Sequence, residues 1–205
     1  MSKQHNQEPK RKYAGRGRKI EFDCDQVLHD AMMVFWRNGY DATKYEDLVR
    51  ETGVQRYGLY KVLGDKDEAF TKVMNHYVGD VNKNLTAPMR ETHANLKDIY
   101  TYFEKLKHYN NEQPIGCMVC NTIAGNRERS TAISELNEKM LVMLRDSIKN
   151  ALQGGINQGE LKPDTDIDAL SHALLGTMVG ASTLFRSKLG SDSATTFIDQ
   201  SLKLL

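Results

Sequence analysis

The sequence predicts an all-α fold, and three observations predict it. Apolar residues recur at helical spacing along nearly the whole chain. Capping residues and glycines punctuate that pattern at the places where helices begin and end. Strand-like alternation flanked by hairpin turns is absent. With 205 residues, 40% hydrophobic and 27% charged, the chain has the composition of an ordinary globular protein. It is long enough for one domain or two small ones.

The first helix is expected from about Asp25 to Asn38, with Val27, Leu28, Ala31, Val34 and Phe35 on one face. Asp23 or Asp25 caps its start and Gly39 its end. Thr43-Lys44-Tyr45-Glu46 reads as a capping box, the threonine hydroxyl accepting from the amide three residues on. It opens a second helix that turns Tyr45, Leu48 and Val49 inward and is broken at Thr52-Gly53-Val54. A third short helix, Gln55 to Leu63, anchors on Leu59 and Leu63 and ends at Gly64. Asp65-Lys66-Asp67-Glu68 starts a fourth, with its acids at the positive end of the helix dipole. Ala69, Phe70, Val73, Met74, Tyr77 and Val81 form its stripe.

The pattern loosens around Pro88. Further helices are expected over Asn95–His108, Ile115–Ala124, Ser130–Asn157, Ile167–Ser187 and Ala194–Leu205, with Asn110–Pro114 and Gly159–Asp164 as loops. The chain divides into a basic arm (1–19), a headpiece (20–66, its two-helix motif at about 43–63) and a C-terminal bundle (67–205).

Net charge is only +1, but its distribution is uneven: seven lysines and arginines face the single acid Glu8 in the first 19 residues. A basic arm on a slightly acidic body suits a nucleic-acid contact or a solvated terminus. No apolar run approaches the roughly 20 residues that span a bilayer, and no apolar leader with a cleavage site is visible. Three cysteines argue against a secreted disulfide framework. A cytoplasmic protein with no membrane partner is expected. Nothing pairs an acid with a base, cradles phosphate or presents a nucleophile motif, so no enzyme activity and no cofactor are expected.

Two short helices joined by a glycine turn and braced by a third are the outline of a helix-turn-helix. Gln55, Arg56, Tyr57, Tyr60 and Lys61 lie on the outward face of the second. Arginine and glutamine near its start can bond base edges in two places at once; tyrosine and lysine further along suit phosphates. Arg16 and Arg18, in Gly15-Arg16-Gly17-Arg18, are thin enough to enter an A·T-rich minor groove.

Phe35-Trp36-Arg37-Asn38-Gly39-Tyr40-Asp41-Ala42-Thr43, Asp47-Leu48, Gly53-Val54, Gly58-Leu59-Tyr60 and Gly64-Asp65-Lys66-Asp67-Glu68-Ala69-Phe70 together resemble the headpiece of TetR/AcrR-family regulators. The resemblance is close from about Glu21 to Phe70. It implies that Thr43 touches phosphate, that Gln55, Arg56 and Tyr57 face the major groove of double-stranded operator DNA, and that Tyr60, Lys61 and Lys66 hold phosphates. Leu63 stands where the family has phenylalanine, and Tyr57 where it usually has a small residue. The implied protein is a homodimeric repressor, released from its operator by an unknown small-molecule inducer or a thiol-reactive signal. An activator or architectural DNA binder using the same headpiece, or a helical thiol-redox protein, are the other readings.

Gly116-Cys117-Met118-Val119-Cys120-Asn121-Thr122 and Gly154–Leu161 are similar to segments of one branch of that family. Cys117 and Cys120, three apart, are expected to share a helical face. Buried small hydrophobes, sensing thiols and half of a metal site all fit that spacing; no second ligand pair is evident, so no metal is assigned. Tyr77, Tyr100, Phe103, Met118, His172 and Met178, with the two cysteines, are the candidates for an inducer pocket. Ala173, Gly176, Gly180 and Ala181 form a small-residue stripe, which fits either a dimer interface or close packing inside one subunit.

Overall fold

A computed structural model describes residues 22–125 and 131–205. It divides into two compact units between Val73 and Met74. Nine α-helices and three short helical turns are present among the described residues, and no strand.

In the first unit, α1 (Cys24–Ala42) begins at the Asp23 carboxylate, which accepts from the Asp25 amide at 3.1 Å. Its regular part stops where Gly39 takes φ 77°, a conformation that favours glycine. Next come α2 (Tyr45–Thr52) and α3 (Arg56–Leu63), separated by Gly53 at φ 66°, and then α4 (Lys66–Val81). Val27, Ala31, Val34, Phe35, Leu48, Leu59, Leu63, Ala69 and Phe70 are all buried. The Phe70 ring meets Phe35 and Tyr40 edge-on, with centroids 5.1 and 5.0 Å away. Such contacts add to the burial of the rings.

The expected capping box at Thr43–Glu46 is displaced by one residue. Thr43 is fully buried, and its hydroxyl donates 2.6 Å back to the Gly39 carbonyl, closing the end of α1. Lys44 takes the cap position instead, its amide donating to the Asp47 carboxylate at 2.9 Å. A box of the expected kind forms at α4: the Asp65 carboxylate accepts from the Asp67 and Glu68 amides, and Glu68 reaches back to the Asp65 amide.

In the second unit, α4 unwinds through a π turn (Asn82–Thr86) and a 3-10 turn (Pro88–Arg90). Then follow α5 (Leu96–Glu112), α6 (Met118–Gly125), α7 (Thr131–Asn157), α8 (Ile167–Arg186) and α9 (Gly190–Ser201), closed by a 3-10 turn (Leu202–Leu204). α8 packs on both α7 and α9. The core holds Ile99, Phe103, Val119, Met140, Leu144, Ile148, Leu174, Met178, Phe185 and Ile198.

Three boundaries differ from expectation. α5 runs on through Asn110–Glu112 because Asn110 is buried and satisfied: its amide donates to the Leu106 carbonyl and its oxygen accepts from Gly116. α6 starts at Met118, not Ile115. α9 starts at Gly190 rather than Ala194, since the Ser187 hydroxyl and Gly190 at φ 70° turn the chain in three residues.

The Gly154–Leu161 segment has a plain packing role. A Cβ on Gly154 would sit 1.8 Å from the Ala94 carbonyl oxygen. The Asn95 side chain donates to Gln158 at 2.9 Å, and the Leu96 amide to Glu160 at 3.1 Å. Together these fasten the start of α5 to the end of α7.

Candidate nucleic-acid interface and buried thiol pair

α3 is anchored through Leu59 and Leu63, which leaves Arg56, Tyr57, Tyr60 and Lys61 outward. Gln55 is the exposed cap residue. Tyr57 is 74% exposed, and Lys61 lies over its ring, 4.5 Å from the centroid. Tyr60 stacks on Tyr45 of α2 at 4.4 Å, while the Tyr45 hydroxyl donates to the Gly64 carbonyl. Burial first, then the neighbouring Tyr60, pushes the Tyr45 phenol up to about 12, so it stays a donor.

Arg56 is not free in this unit. Its guanidinium meets the Glu46 carboxylate at 2.5 Å and lies 5.5 and 5.8 Å from the centres of the Tyr45 and Tyr60 rings. The bonds it donates to Tyr60 and then to Glu46 hold it more firmly charged. Glu46 is held below the ordinary carboxylate range by its own amide and then by Arg56. Released from the expected capping box, Glu46 thus does other work that the sequence reading missed. Lys66 lies over the Tyr40 ring at 4.2 Å, its ammonium 3.5 Å from the Asp41 carbonyl. Thr43 requires correction as a phosphate contact: its side chain is enclosed and its hydroxyl is spent on Gly39. Arg16 and Arg18 lie outside the described residues.

In the second unit the structure brings together Tyr77, Cys117, Cys120 and Met178, all buried. The Tyr77 hydroxyl donates to Cys117 Sγ at 3.3 Å, and Cys120 Sγ lies 3.9 Å from Met178 Sδ. Tyr102 lies alongside, its phenol pushed up chiefly by burial and then by the two thiols. Phe103 and Met118 are packed in the core.

The two cysteines lie together at the start of α6, Cys117 as the residue that caps the helix and Cys120 in its first turn, with their thiols paired. Gly116 takes φ 67°, and Cys117 stands just ahead of α6, its carbonyl accepting from the Asn121 amide. A Cβ on Gly116 would lie 2.6 Å from the Ser182 carbonyl oxygen, and the Cys117 amide donates to the Ser182 hydroxyl at 2.6 Å. Asn121 and Thr122 bond back to Ile115 and Met118. The Cys117 thiol falls to about 7: the Cys120 thiol bonds it most strongly, burial opposes, and the Tyr77 hydroxyl and the Cys120 and Val119 amides add to the lowering. Cys120 is pushed up by that same pairing and by burial. A sulfur at a helix start facing several donors ionises more readily than a free thiol.

Tyr100 is on the outer surface of α5, which removes it from any interior pocket. The buried stripe Ile99–Phe103–Leu106 places Tyr102 inside instead, a signal the sequence carried. His172 is exposed, its Nδ1 2.9 Å from the Asp168 carbonyl, on the rim of an open cleft between α6, α7 and α8. Ala181 is fully buried within its own subunit and so cannot be an interface residue. Gly180 packs on Phe197 of α9 in the same chain. Ala173 and Gly176 face outward, and a Cβ on Gly176 would meet nothing within 4 Å. Among the described residues no group of three or more His, Cys, Asp or Glu side chains is placed to hold a metal, and no helix is long and apolar enough to cross a membrane.

A two-helix motif with an anchored, outward-polar second helix on one unit, and a separate helical unit, define a helix-turn-helix DNA-binding regulator of transcription. Residues 27–72 match the family model of bacterial regulatory proteins of the tetR family, and residues 93–199 the tetracyclin repressor-like C-terminal domain. The chain belongs to the TetR family. It is 28% identical over 195 residues to the uncharacterized HTH-type transcriptional regulator YezE of Bacillus subtilis, covering 92% of this chain and 99% of that one. It is 27% identical to the HTH-type transcriptional repressor ComR of Escherichia coli, covering 78% and 77%. In fold it is similar to a cysteine mutant of the TetR-family regulator CifR solved with 26bp operator DNA (TM-score 0.78, 21% identity, 91% and 98% covered). It is also similar to the reduced form of NemR from E. coli (TM-score 0.75, 13% identity, 88% and 95% covered).

Proposed function

We propose that the protein is a cytoplasmic homodimeric repressor that blocks transcription from its operator until a small molecule acts on the second unit. The observation that carries this is the outward face of α3. Four side chains suited to nucleic acid stand exposed on a helix whose other face is fixed by Leu59 and Leu63. Gln55, Arg56 and Tyr57 read base edges; Tyr60, Lys61 and Lys66 hold phosphates. Two such helices, one per subunit, meet half-sites about 34–36 Å apart or a multiple of that. α4 has residues in both units and carries the signal to the headpiece. A change in the spacing of the recognition helices then weakens both half-sites together.

A thiol-reactive signal is a second reading, favoured by the lowered Cys117. Modification there adds bulk and polarity to a packed interior, which registers changes as small as a methylene.

The test is selection of bound sites from random duplexes, followed by titration of variants on the selected site. Lys61→Ala should weaken specific and random duplexes alike and reduce the salt slope by about one contact. Arg56→Ala should relax preference at one base pair, by about 1–3 kcal/mol for a bidentate contact. Equal weakening of specific and random DNA by Arg56→Ala would refute its base-reading role. Failure to enrich any site would refute sequence-specific binding.

A further inference from the structure

Tyr57, the second residue of α3, is the most exposed of the large hydrophobic side chains among the described residues, at 74%. It stands on the face of α3 turned away from the buried anchors Leu59 and Leu63. The backbone beneath it is closely seated: a Cβ on the neighbouring Gly58 would lie 3.1 Å from Val54 Cγ1, in the turn that precedes the helix. One face of the ring is covered by the Lys61 ammonium, 4.5 Å from the centroid. Residues four apart on a helix are neighbours, and a cation over a ring is held there by the ring's quadrupole. The opposite face and the edge stay open to whatever α3 meets. Tyr60 differs, because its ring is committed to Tyr45, stacked at 4.4 Å. One free apolar surface therefore stands among the polar groups Gln55, Arg56 and Lys61.

An apolar surface gains by meeting another apolar surface, and leaves polar groups worse hydrated when it meets those instead. In the major groove, the groups that tell the base pairs apart are hydrogen-bond donors and acceptors, with one exception, the C5-methyl of thymine. We infer that Tyr57 reads thymine, packing the open face of its ring on the C5-methyl of one thymine in each operator half-site. This rests on the proposed docking of α3 in the major groove, and gives that reading a base to recognise. The contact is made by the ring and not by the phenol hydroxyl. A methyl is about the size of one methylene, and burying such a group changes affinity about fourfold.

The experiment titrates the full-length protein on the duplex selected from random sequences, and on copies in which each thymine in turn is replaced by deoxyuridine. The exchange removes the methyl and keeps the base pairing and the O4 acceptor. At one thymine of a half-site it should weaken wild-type binding about fourfold. Tyr57→Ala should bind the thymine and deoxyuridine duplexes equally, while Tyr57→Phe should keep the full difference. A wild type indifferent to every exchange overturns the inference. A difference that survives Tyr57→Ala overturns it too, because the effect then belongs to the duplex or to another side chain. Loss of the difference in Tyr57→Phe overturns it by assigning the contact to the hydroxyl. Selective binding without sensitivity to any methyl sinks the thymine contact alone. A selected duplex bound no better than random DNA sinks the operator reading, and this inference with it.

Discussion

Replacing Tyr77 with Phe removes one donor from the Cys117 sulfur and leaves the ring in place. The hydroxyl lies 3.3 Å from Sγ in a buried site. A hydrogen bond to a charged group contributes about 1.5–3 kcal/mol, and one pKa unit corresponds to about 1.4 kcal/mol. The thiol, now near 7, should therefore rise by about 1–2 units. At pH 7 the thiolate fraction should fall from roughly one half to between about 10% and 1%. Thiolate absorbance in the ultraviolet, followed against pH in a Cys24→Ser background, reads ionisation without requiring a reagent to enter the core. Stability should follow with a definite sign. Cys117 is depressed in the folded state, so its contribution is fully present above the ordinary thiol value near 9 and is lost as pH falls through 7. The melting temperature of wild type should climb between pH 7 and 9 more than that of Tyr77→Phe. A wild-type midpoint near 9, or an unmoved midpoint in Tyr77→Phe, would refute the account of a thiolate held by Tyr77 and its neighbours.

Gly154→Ala should destabilise the second unit, because its methyl would lie 1.8 Å from the Ala94 carbonyl oxygen, a backbone atom that cannot swing aside. Overpacking of this kind costs about 1–3 kcal/mol, a drop of several degrees in a thermal melt; an unchanged melt would show that the Ala94–Leu96 loop gives way freely. Gly176→Leu has open space around it in the single chain, so the subunit should fold normally while sedimentation shows the dimer weakened. A dimer of undiminished affinity would place the interface elsewhere than the outward face of α8.

The helices were legible because apolar periodicity is a property of the chain itself, and Val27–Phe35, Ile133–Leu152 and Leu174–Phe185 declare it plainly. What escaped were choices between local partners. Thr43 and Lys44 both precede α2, and only packing sends the Thr43 hydroxyl back to Gly39 and hands the cap to Lys44 and Asp47. Asn110 has the composition of a loop, but a buried pair of bonds keeps it helical. Ala173, Gly176, Gly180 and Ala181 read as one stripe of small residues, yet Ala173 and Gly176 lie exposed while Ala181, five residues past Gly176, turns into the core. At the site, the polar face of α3 followed from its apolar anchors. The Glu46–Arg56 pair did not, because it joins two helices across a turn.

The Glu46–Arg56 pairing also bears on how the protein would find one site among millions. On the proposed assignment of Arg56 to a base and the lysines to phosphates, a guanidinium parked on an exposed carboxylate of the neighbouring helix would let the headpiece ride along arbitrary duplex on lysine–phosphate attraction while the arginine stays stowed. An ion pair at the surface is readily exchanged, so a guanine at the right position would draw the arginine across at little cost, and a wrong base would leave it where it was. Travel and recognition then use different side chains, and a strong grip on the target need not slow the search for it.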